Sequence, residues 1–148
     1  PGVKALVTAR GHVLLLQERR SEEPSFWTIP GGGVESGESL TESLHRELQE
    51  ELQCAATVGK LLGGCAYSHL TCPATSVYTV FDVTLLSEPD PNPEEGIVEY
   101  AWFRPDDLPQ TTLDPIQQFI QTSVGPNTDD VDDSPVPDYL TLPRQHPR

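Results

Sequence analysis

Residues 39–52 restrict the possible folds more than any other segment, because they join a helix start signal to a regular apolar stripe. Ser39 and Glu42 form a capping box, in which the hydroxyl caps an early amide and the carboxylate reaches back. Leucines then recur at every fourth position, which gives the helix one apolar face. The segment therefore predicts an amphipathic helix packed against a core. Its leucines are Leu40, Leu44, Leu48 and Leu52.

Strand-like segments lie on both sides of this helix in the sequence. The run Val13–Leu16 is apolar without alternation, as in strands that are covered on both faces. Residues 76–86 instead carry apolar side chains at period two, which places them on one face of a strand. That face would hold Val77, Phe81, Val83 and Leu85. The predicted strands span residues 3–9, 12–17, 55–67, 76–86 and 99–104.

A second helix is predicted after these strands. Asp114 is a good cap and Pro115 suits the first helical position, while Gly125 and Pro126 end the pattern. Its apolar side would carry Ile116, Phe119, Ile120 and Val124. Because two helices can cover both faces of a mixed sheet, the predicted fold is an α/β/α sandwich.

The 148 residues suffice for one domain, which we expect to span residues 1–124. Residues 125–148 form an acidic, proline-rich tail that is too polar to fold alone, although Tyr139, Leu140 and Leu142 could dock on the body. No apolar run approaches the roughly 20 residues that span a membrane, and residues 1–10 show no secretory signal. We therefore expect a cytoplasmic protein.

The cysteines Cys54, Cys65 and Cys72 are odd in number and show no CxxC pairing. Neither a disulfide framework nor a cysteine zinc site is indicated by this spacing. We expect small, buried apolar side chains at these positions.

The chain is strongly acidic, with 23 acidic residues against 9 basic ones and a formal charge of −14. The tail has five aspartates and two arginines, so residues 1–124 carry −11 of this charge. A nucleic-acid duplex is not an expected partner, because phosphates need a basic face. A surface this acidic is typical of proteins adapted to high salt, where counter-ions screen self-repulsion. An unusually acidic mesophilic protein is the open alternative.

Three glutamates of the first helix point to a metal site. Glu47, Glu50 and Glu51 are spaced i, i+3 and i+4, so their carboxylates converge on one side. At about 100° per residue, Glu47 and Glu51 fall roughly 20° on either side of Leu40, beside the apolar stripe. A merely solvated acidic face would lie opposite that stripe. Oxygen ligands of this kind suit Mg²⁺ or Mn²⁺.

The glycine-rich segment 30–38 precedes this helix and brings free backbone close to it. It is neither a Walker-type phosphate loop nor a dinucleotide fingerprint, because the required spacings are absent. From Gly32 to Cys54, however, the sequence resembles the Nudix box: Gly, five residues, Glu, seven residues, then Arg-Glu-hydrophobic-any-Glu-Glu-any-Gly-hydrophobic. Only Gln53 departs, because it stands where the family has Gly. We expect a left-handed helix end there, at a cost of roughly 1 kcal/mol.

The similarity to the Nudix family covers roughly residues 3–124, including the flanking stretches 27–31 and 100–103. It implies a Nudix-type α/β/α sandwich and metal-dependent hydrolysis of a phosphoanhydride bond in a small nucleoside-diphosphate-linked substrate. Arg46 would hold a glutamate in position, and Glu38 would be a structural partner at the helix start. A homodimer stays open. The implied ligands of Mg²⁺ or Mn²⁺ are Glu47, Glu50, Glu51 and the Gly31 carbonyl.

The general base varies within the Nudix family. It lies either in the box, where Glu47 is a catalytic candidate, or in the loop before the last strand. In that loop we favour Glu99 over Glu95. The substrate-contact candidates are Arg19 and Arg20 for phosphate, and Phe26 and Trp27 for a base, with a core position equally open for Trp27.

Two other functions are compatible with this family. One is an isopentenyl-diphosphate isomerase, but such enzymes are longer and use a catalytic cysteine, for which no cysteine here has a recognisable setting. The other is a non-catalytic module that senses a nucleotide or ADP-ribose. Such modules commonly lose box glutamates, whereas all are present here, and this favours catalysis.

The charge of residues 1–124 generates a test of the salt-adaptation hypothesis. Self-repulsion should destabilise the folded chain at low ionic strength, so the melting temperature should rise as KCl increases from dilute to molar. Thermal unfolding followed by circular dichroism across a KCl series measures this. A flat or falling curve would contradict salt adaptation and leave the enzymatic hypothesis intact.

Overall fold

The computed structural model describes residues 1–21, 23–69 and 72–124, with the side chains of residue 69 and of residues 72–74 excepted. The predicted tail, with Tyr139, Leu140 and Leu142, lies outside these residues. Within the described part, a 3-10 turn at Pro93–Glu95 accompanies seven strands and two helices. The strands are β1 (Gly2–Ala9), β2 (His12–Glu18), β3 (Phe26–Thr28), β4 (Gly31–Gly33), β5 (Ala56–His69), β6 (Cys72–Leu85) and β7 (Ile97–Phe103), and the helices are α1 (Leu40–Leu52) and α2 (Asp114–Ser123).

The strands form a mixed sheet whose main order is β3-β2-β1-β6-β5. β1 runs parallel to β6 and antiparallel to β2 and β4, while β7 pairs antiparallel with β2. Lys4 of β1 therefore lies between Gly31 of β4 and Val80 of β6.

Two apolar clusters cover the two faces of the sheet, which confirms the predicted sandwich. The run Val13–Leu16 is fully buried, as its lack of alternation predicts. Leu14 and Leu16 pack in the cluster that contains the α1 leucines, whereas Val13 and Leu15 pack with Ile116 and Ile120 of α2. Each strand of this kind serves both cores at once.

Helix α1 begins with the predicted capping box. The Glu42 amide donates to Ser39 Oγ at 3.1 Å, and the Ser39 amide donates to Glu42 Oε1 at 2.8 Å. Gln53 ends the helix in the left-handed conformation, with φ 49°, as expected from its place in the box. Its side-chain amide donates to the Asp90 carbonyl at 3.1 Å, which offsets part of the backbone cost.

Leu40 departs from the predicted apolar face, because it is 38% exposed while the other three leucines are fully buried. A four-residue spacing advances about 40° beyond a full turn at each step. The leucine stripe therefore drifts round the helix, and its first member leaves the core.

Two further expectations are corrected by the structure. Asp114 is the first residue of α2 and not its cap, which is Leu113, although the carboxylate still favours the first turn of the helix. Val77 is 59% exposed, while Phe81, Val83 and Leu85 are buried. It lies nearer to the β5–β6 turn, beyond the part of the hairpin that the core covers.

Both described cysteine thiols are free. Cys54 is buried in the α1 cluster, and burial raises the pKa of its thiol to about 11, so it behaves as a small apolar side chain. Cys65 is half-buried against the α2 cluster. Neither helix of the described residues has the length and apolarity needed to cross a membrane.

Candidate metal centre and active site

A cavity of about 250 Å³ opens where β1, β4 and α1 come together. Its walls combine four carboxylates, two cations and three aromatic rings. This mixture is unlike the two apolar clusters and is typical of a site that binds a charged ligand. The lining residues are Glu18, Glu47, Glu51, Glu95, Lys4, Arg20, Phe26, Tyr67, Tyr78, Thr28, Gly31, Gly32 and Leu113.

Two carboxylates of α1 are held against the glycines of β4. Glu51 Oε1 accepts a hydrogen bond of 2.9 Å from the Gly31 amide. A Cβ atom at Gly32 would overlap the carboxylate of Glu47, so a side chain at this position would displace that carboxylate. Glu47 and Glu51 are each 8% exposed, although both are acidic. The glycine-rich strand and the glutamate-bearing helix thus form one unit.

Arg46 connects the helix to the loop that precedes it. Its guanidinium donates to Glu38 Oε2 at 2.7 Å, to Glu50 Oε1 at 2.9 Å and to the Gly33 carbonyl at 2.8 Å. A weaker contact of 3.3 Å reaches Glu47 Oε1. The expected contact between Arg46 and a box glutamate is therefore present. Its hydrogen bonds to Glu38 lower the pKa of that carboxyl to about 2.

Glu47 and Glu51 carry more negative charge than their surroundings compensate. Burial raises the pKa of Glu51 to about 8, against the opposing effects of the Lys4 charge and the Gly31 hydrogen bond. Burial, followed by a hydrogen bond with Glu50, raises the pKa of Glu47 to about 7. Two buried carboxylates in one cavity are stabilised as charged groups only by a cation near both.

Glu50 occupies a different environment from the other two box glutamates. Its side chain is 41% exposed and turns to Arg46 through the i, i+4 ion pair. Across the described parts of the chain, no three His, Cys, Asp or Glu side chains are gathered into a metal-binding geometry. Within the cavity the predicted convergence is therefore seen for Glu47 and Glu51, whereas Glu50 lies beside Glu47, pairs with Arg46 and does not line the cavity.

Only two of the four predicted substrate contacts line the cavity. Arg20 does so, with Nε 2.6 Å from Glu18 Oε2 and its guanidinium 5.9 Å from the Phe26 ring. Arg19 follows the end of β2 at Glu18, as Arg20 does, and its amide donates to the Gly96 carbonyl at 2.9 Å. The two arginines line two different cavities.

Alternation along β3 decides between the two alternatives for Trp27. Phe26 lines the cavity, but Trp27 is 2% exposed and packs edge-on against Phe103, with ring centroids 5.1 Å apart. Trp27 is a core residue of the α2 cluster, which is the core alternative that the sequence left open.

The structure also separates the two loop candidates for the general base. Glu99 lies within β7, opposite Gln17 of β2, which agrees with the predicted strand over 99–104 and not with a position in the preceding loop. Glu95 ends the 3-10 turn that precedes β7 and lines the cavity. Its negative charge contributes to the raised pKa of Glu47, which places the two carboxylates near each other.

Sequence reasoning missed Lys4, Glu18 and Tyr78 as parts of the site. Lys4 is 5% exposed and Glu18 is 8% exposed, and all three residues line the cavity. The available signal was a charged residue within each of two strongly apolar strand segments, residues 2–9 and 12–18. A charge inside a buried strand needs a partner or a ligand, and this is a reason to examine it.

Comparisons with known proteins agree with this geometry. The family model of the NUDIX domain matches residues 1–122, so the chain belongs to the Nudix family and is a Nudix hydrolase. Among solved structures, the MutT NUDIX hydrolase from Burkholderia pseudomallei superposes with a TM-score of 0.73 at 26% identity, covering 81% of this chain and 94% of that one. The MutT protein from Methanosarcina mazei Go1 gives a TM-score of 0.71 at 26% identity, covering 82% and 89% respectively.

Curated relatives share shorter segments. The CTP pyrophosphohydrolase of Escherichia coli (strain K12) is 42% identical over 59 residues, which are 39% of this chain and 44% of that protein. The nucleoside triphosphatase NudI of Escherichia coli O139:H28 (strain E24377A / ETEC) is 28% identical over 102 residues, 63% of this chain and 72% of that protein. The chain thus spans less than half of the first of these relatives.

The raised pKa values predict how stability depends on pH when no divalent cation is present. With folded values of about 7 for Glu47 and about 8 for Glu51, against an ordinary 4.5, the folded state binds more protons than the unfolded state across this window. The melting temperature of chelator-treated protein should therefore fall as pH rises from 4.5 towards 8.

Two variants of equal charge isolate this effect from general self-repulsion. Glu51→Gln should flatten the dependence of melting temperature on pH, because a neutral amide replaces the buried carboxylate. Glu88→Gln removes an exposed carboxylate and should retain the slope of the parent protein. Equal slopes for both variants would contradict the buried-charge explanation.

Proposed function

We propose that this Nudix hydrolase uses Mg²⁺ or Mn²⁺ to hydrolyse a phosphoanhydride bond in a nucleoside diphosphate linked to another moiety, such as a further phosphate or a sugar. The observation that carries the proposal is the pair Glu47 and Glu51, two buried carboxylates with uncompensated charge in one cavity. Substrates of this class bring the phosphates that such a metal site would bind.

The residues fit a hard divalent cation. Glu47 and Glu51 offer carboxylate oxygens, the donor type that Mg²⁺ and Mn²⁺ prefer. The Gly31 carbonyl and Glu50 are the proposed additional ligands, the latter after a change of partner from Arg46. A divalent cation bound there would polarise a phosphoryl oxygen, lower the pKa of water and neutralise the leaving phosphate.

The protein's own groups set the geometry around that cation. The Gly31 amide fixes Glu51, and Arg46 restrains Glu47 and Glu50 through its guanidinium. Arg20 presents a cation at the cavity wall, where a substrate phosphate could replace part of its contact with Glu18. Glu95 is our candidate for the base that accepts a proton from the attacking water.

The names of the relatives support a nucleotide substrate, of which the cavity would hold only a part. At about 250 Å³, the cavity is smaller than the roughly 300–1,000 Å³ of pockets that enclose a drug-sized ligand. It would therefore hold part of a nucleotide, with the remainder extending outside. The names of the relatives, a CTP pyrophosphohydrolase and a nucleoside triphosphatase, support nucleoside triphosphates as the first substrates to test.

Replacing Glu51 tests the metal site directly. Glu51→Gln keeps an oxygen that can accept from the Gly31 amide but removes the charge, so the fold should be retained. Turnover of a nucleotide panel with Mg²⁺ or Mn²⁺ should fall at least about a hundredfold. The rise in melting temperature that Mg²⁺ gives the parent protein should also disappear. Near-normal activity in this variant would remove the basis of the proposal, whereas Glu88→Gln should behave as the parent.

A paired substitution tests the assignment of the general base. Glu95→Gln should lower kcat by about 10²-fold or more with a small change in KM, because the proton acceptor is lost after substrate binds. Glu99→Gln, a matched change in β7, should leave kcat within about twofold. The opposite ranking, measured by steady-state kinetics at saturating metal, would transfer the role to Glu99.

A further inference from the structure

Lys4 is an unusual residue for its position in the fold. It lies in β1, the central strand, with Gly31 on one side and Val80 on the other. Its neighbours in the strand, Val3 and Ala5, are fully buried apolar residues, and Lys4 itself is only 5% exposed. Burying an ammonium in such a strand is costly, so the group needs compensating contacts.

The contacts that Lys4 makes within the protein are few. Nζ donates one hydrogen bond, of 3.3 Å, to the Ile29 carbonyl and lies 5.0 Å from the centroid of the Tyr78 ring. Among the described residues, no carboxylate lies within 4.0 Å of it as an ion pair. An ammonium has three N–H donors, and this one lines the cavity. A ligand oxygen would complete its hydrogen bonding.

The walls beside Lys4 suit a flat heterocycle. Tyr78 and Tyr67 stack with centroids 5.0 Å apart and an interplanar angle of 22°, and Phe26 contributes a third ring to the cavity. Aromatic side chains stack well on nucleobases. This part of the cavity therefore favours a base over an aliphatic group.

The charges around Lys4 argue against a phosphate in the same place. Glu18 and Glu51 line the cavity with it, and the Lys4 charge acts on Glu51 strongly enough to oppose the rise in the pKa of that carboxyl. A phosphate bound at Lys4 would compete with Glu51, whose charge Lys4 already balances in part. A neutral carbonyl oxygen would accept from Lys4 without that penalty, and an adjacent ring N–H could donate to Glu18.

We propose that Lys4 is a specificity-determining residue that donates a hydrogen bond to the carbonyl oxygen at C4 of a pyrimidine base or C6 of a purine base, the oxygen that stands next to a ring N–H. The inference rests on the proposed nucleotide hydrolysis and narrows its substrate class. Uracil, hypoxanthine and guanine carry such an oxygen where cytosine and adenine carry an amino group, which can only donate. Nucleotides with a carbonyl at that position are therefore the preferred substrates, because an ammonium facing an amino group leaves both donors unpaired.

Lys4 could instead serve only as a counter-charge for Glu51. That role would affect every nucleotide equally, because the metal site is common to all of them. The two explanations therefore differ in base preference and not in overall activity.

The experiment compares two substrate pairs that differ in the key group, UTP with CTP and ITP with ATP, at saturating Mg²⁺. In the parent protein, kcat/KM should be about tenfold to hundredfold higher for UTP and ITP than for CTP and ATP. Lys4→Met has a similar volume and no donors, and it should bring each ratio close to one. Lys60→Met removes the only other lysine, an exposed one, and should keep the parent ratios.

The outcomes separate this inference from the proposed function. If the parent protein hydrolyses no nucleotide with Mg²⁺ or Mn²⁺, the proposed function fails. If it hydrolyses them without preferring UTP and ITP, or if Lys4→Met lowers all four rates by one factor, the assignment of Lys4 is overturned.

A binding measurement covers the case in which Lys4→Met does not fold. Calorimetry of the parent protein with UMP, CMP, IMP and AMP in chelator-containing buffer tests base recognition without the metal. Tighter binding of UMP than CMP and of IMP than AMP supports the inference. Equal affinities within each pair overturn it.

Discussion

The site depends on the guanidinium of Arg46, because this one group ties α1 to the chain that leads into it. Its bonds to Glu38 and to the Gly33 carbonyl fix the loop, and its bond to Glu50 fixes the outer face of the helix. With the helix held in this way, Glu47 and Glu51 are left on the inner face, against the glycines of β4. The Arg46 guanidinium thus engages Glu38 and Glu50, while Glu47 and Glu51 line the cavity.

The stability of the domain offsets the cost of this arrangement. Burying Glu47 and Glu51 opposes folding, because each carboxylate loses hydration that the protein replaces only in part. Leu44, Leu48 and Leu52, on the same helix, are fully buried, and each contributes roughly 1.5–3 kcal/mol of apolar stabilisation. The leucine stripe is what allows the helix to keep charged side chains at the edge of the core.

The sequence was sufficient to predict the features that depend on residues close to one another along the chain. The capping box, the doubly covered run Val13–Leu16 and the left-handed Gln53 follow from local chemistry that acts within a few residues. The sheet order and the site's inner wall could not be predicted in this way. Lys4 and Glu18 lie on β1 and β2, and their places in the cavity depend on the pairing of β1 with β4 and β6 and of β2 with β3 and β7. The role of Trp27 stayed open in the sequence, and that of Glu99 was assigned to a loop, for a related reason: a residue's face and the start of its strand depend on long-range pairing.

The antiparallel pairing of Lys4 with Gly31 has a consequence for how the protein can vary. This pairing places the Lys4 side chain at the cavity, and it also positions the Gly31 amide that donates to Glu51. A one-residue slip of β1 would turn Lys4 to the opposite face and present Val3 or Ala5 to the cavity. Insertions at the start of this chain are therefore tolerable before Gly2 but not within β1. The proposed base recognition and the proposed metal binding share one strand register, so evolution can change the residue at position 4 without shifting the strand that bears it.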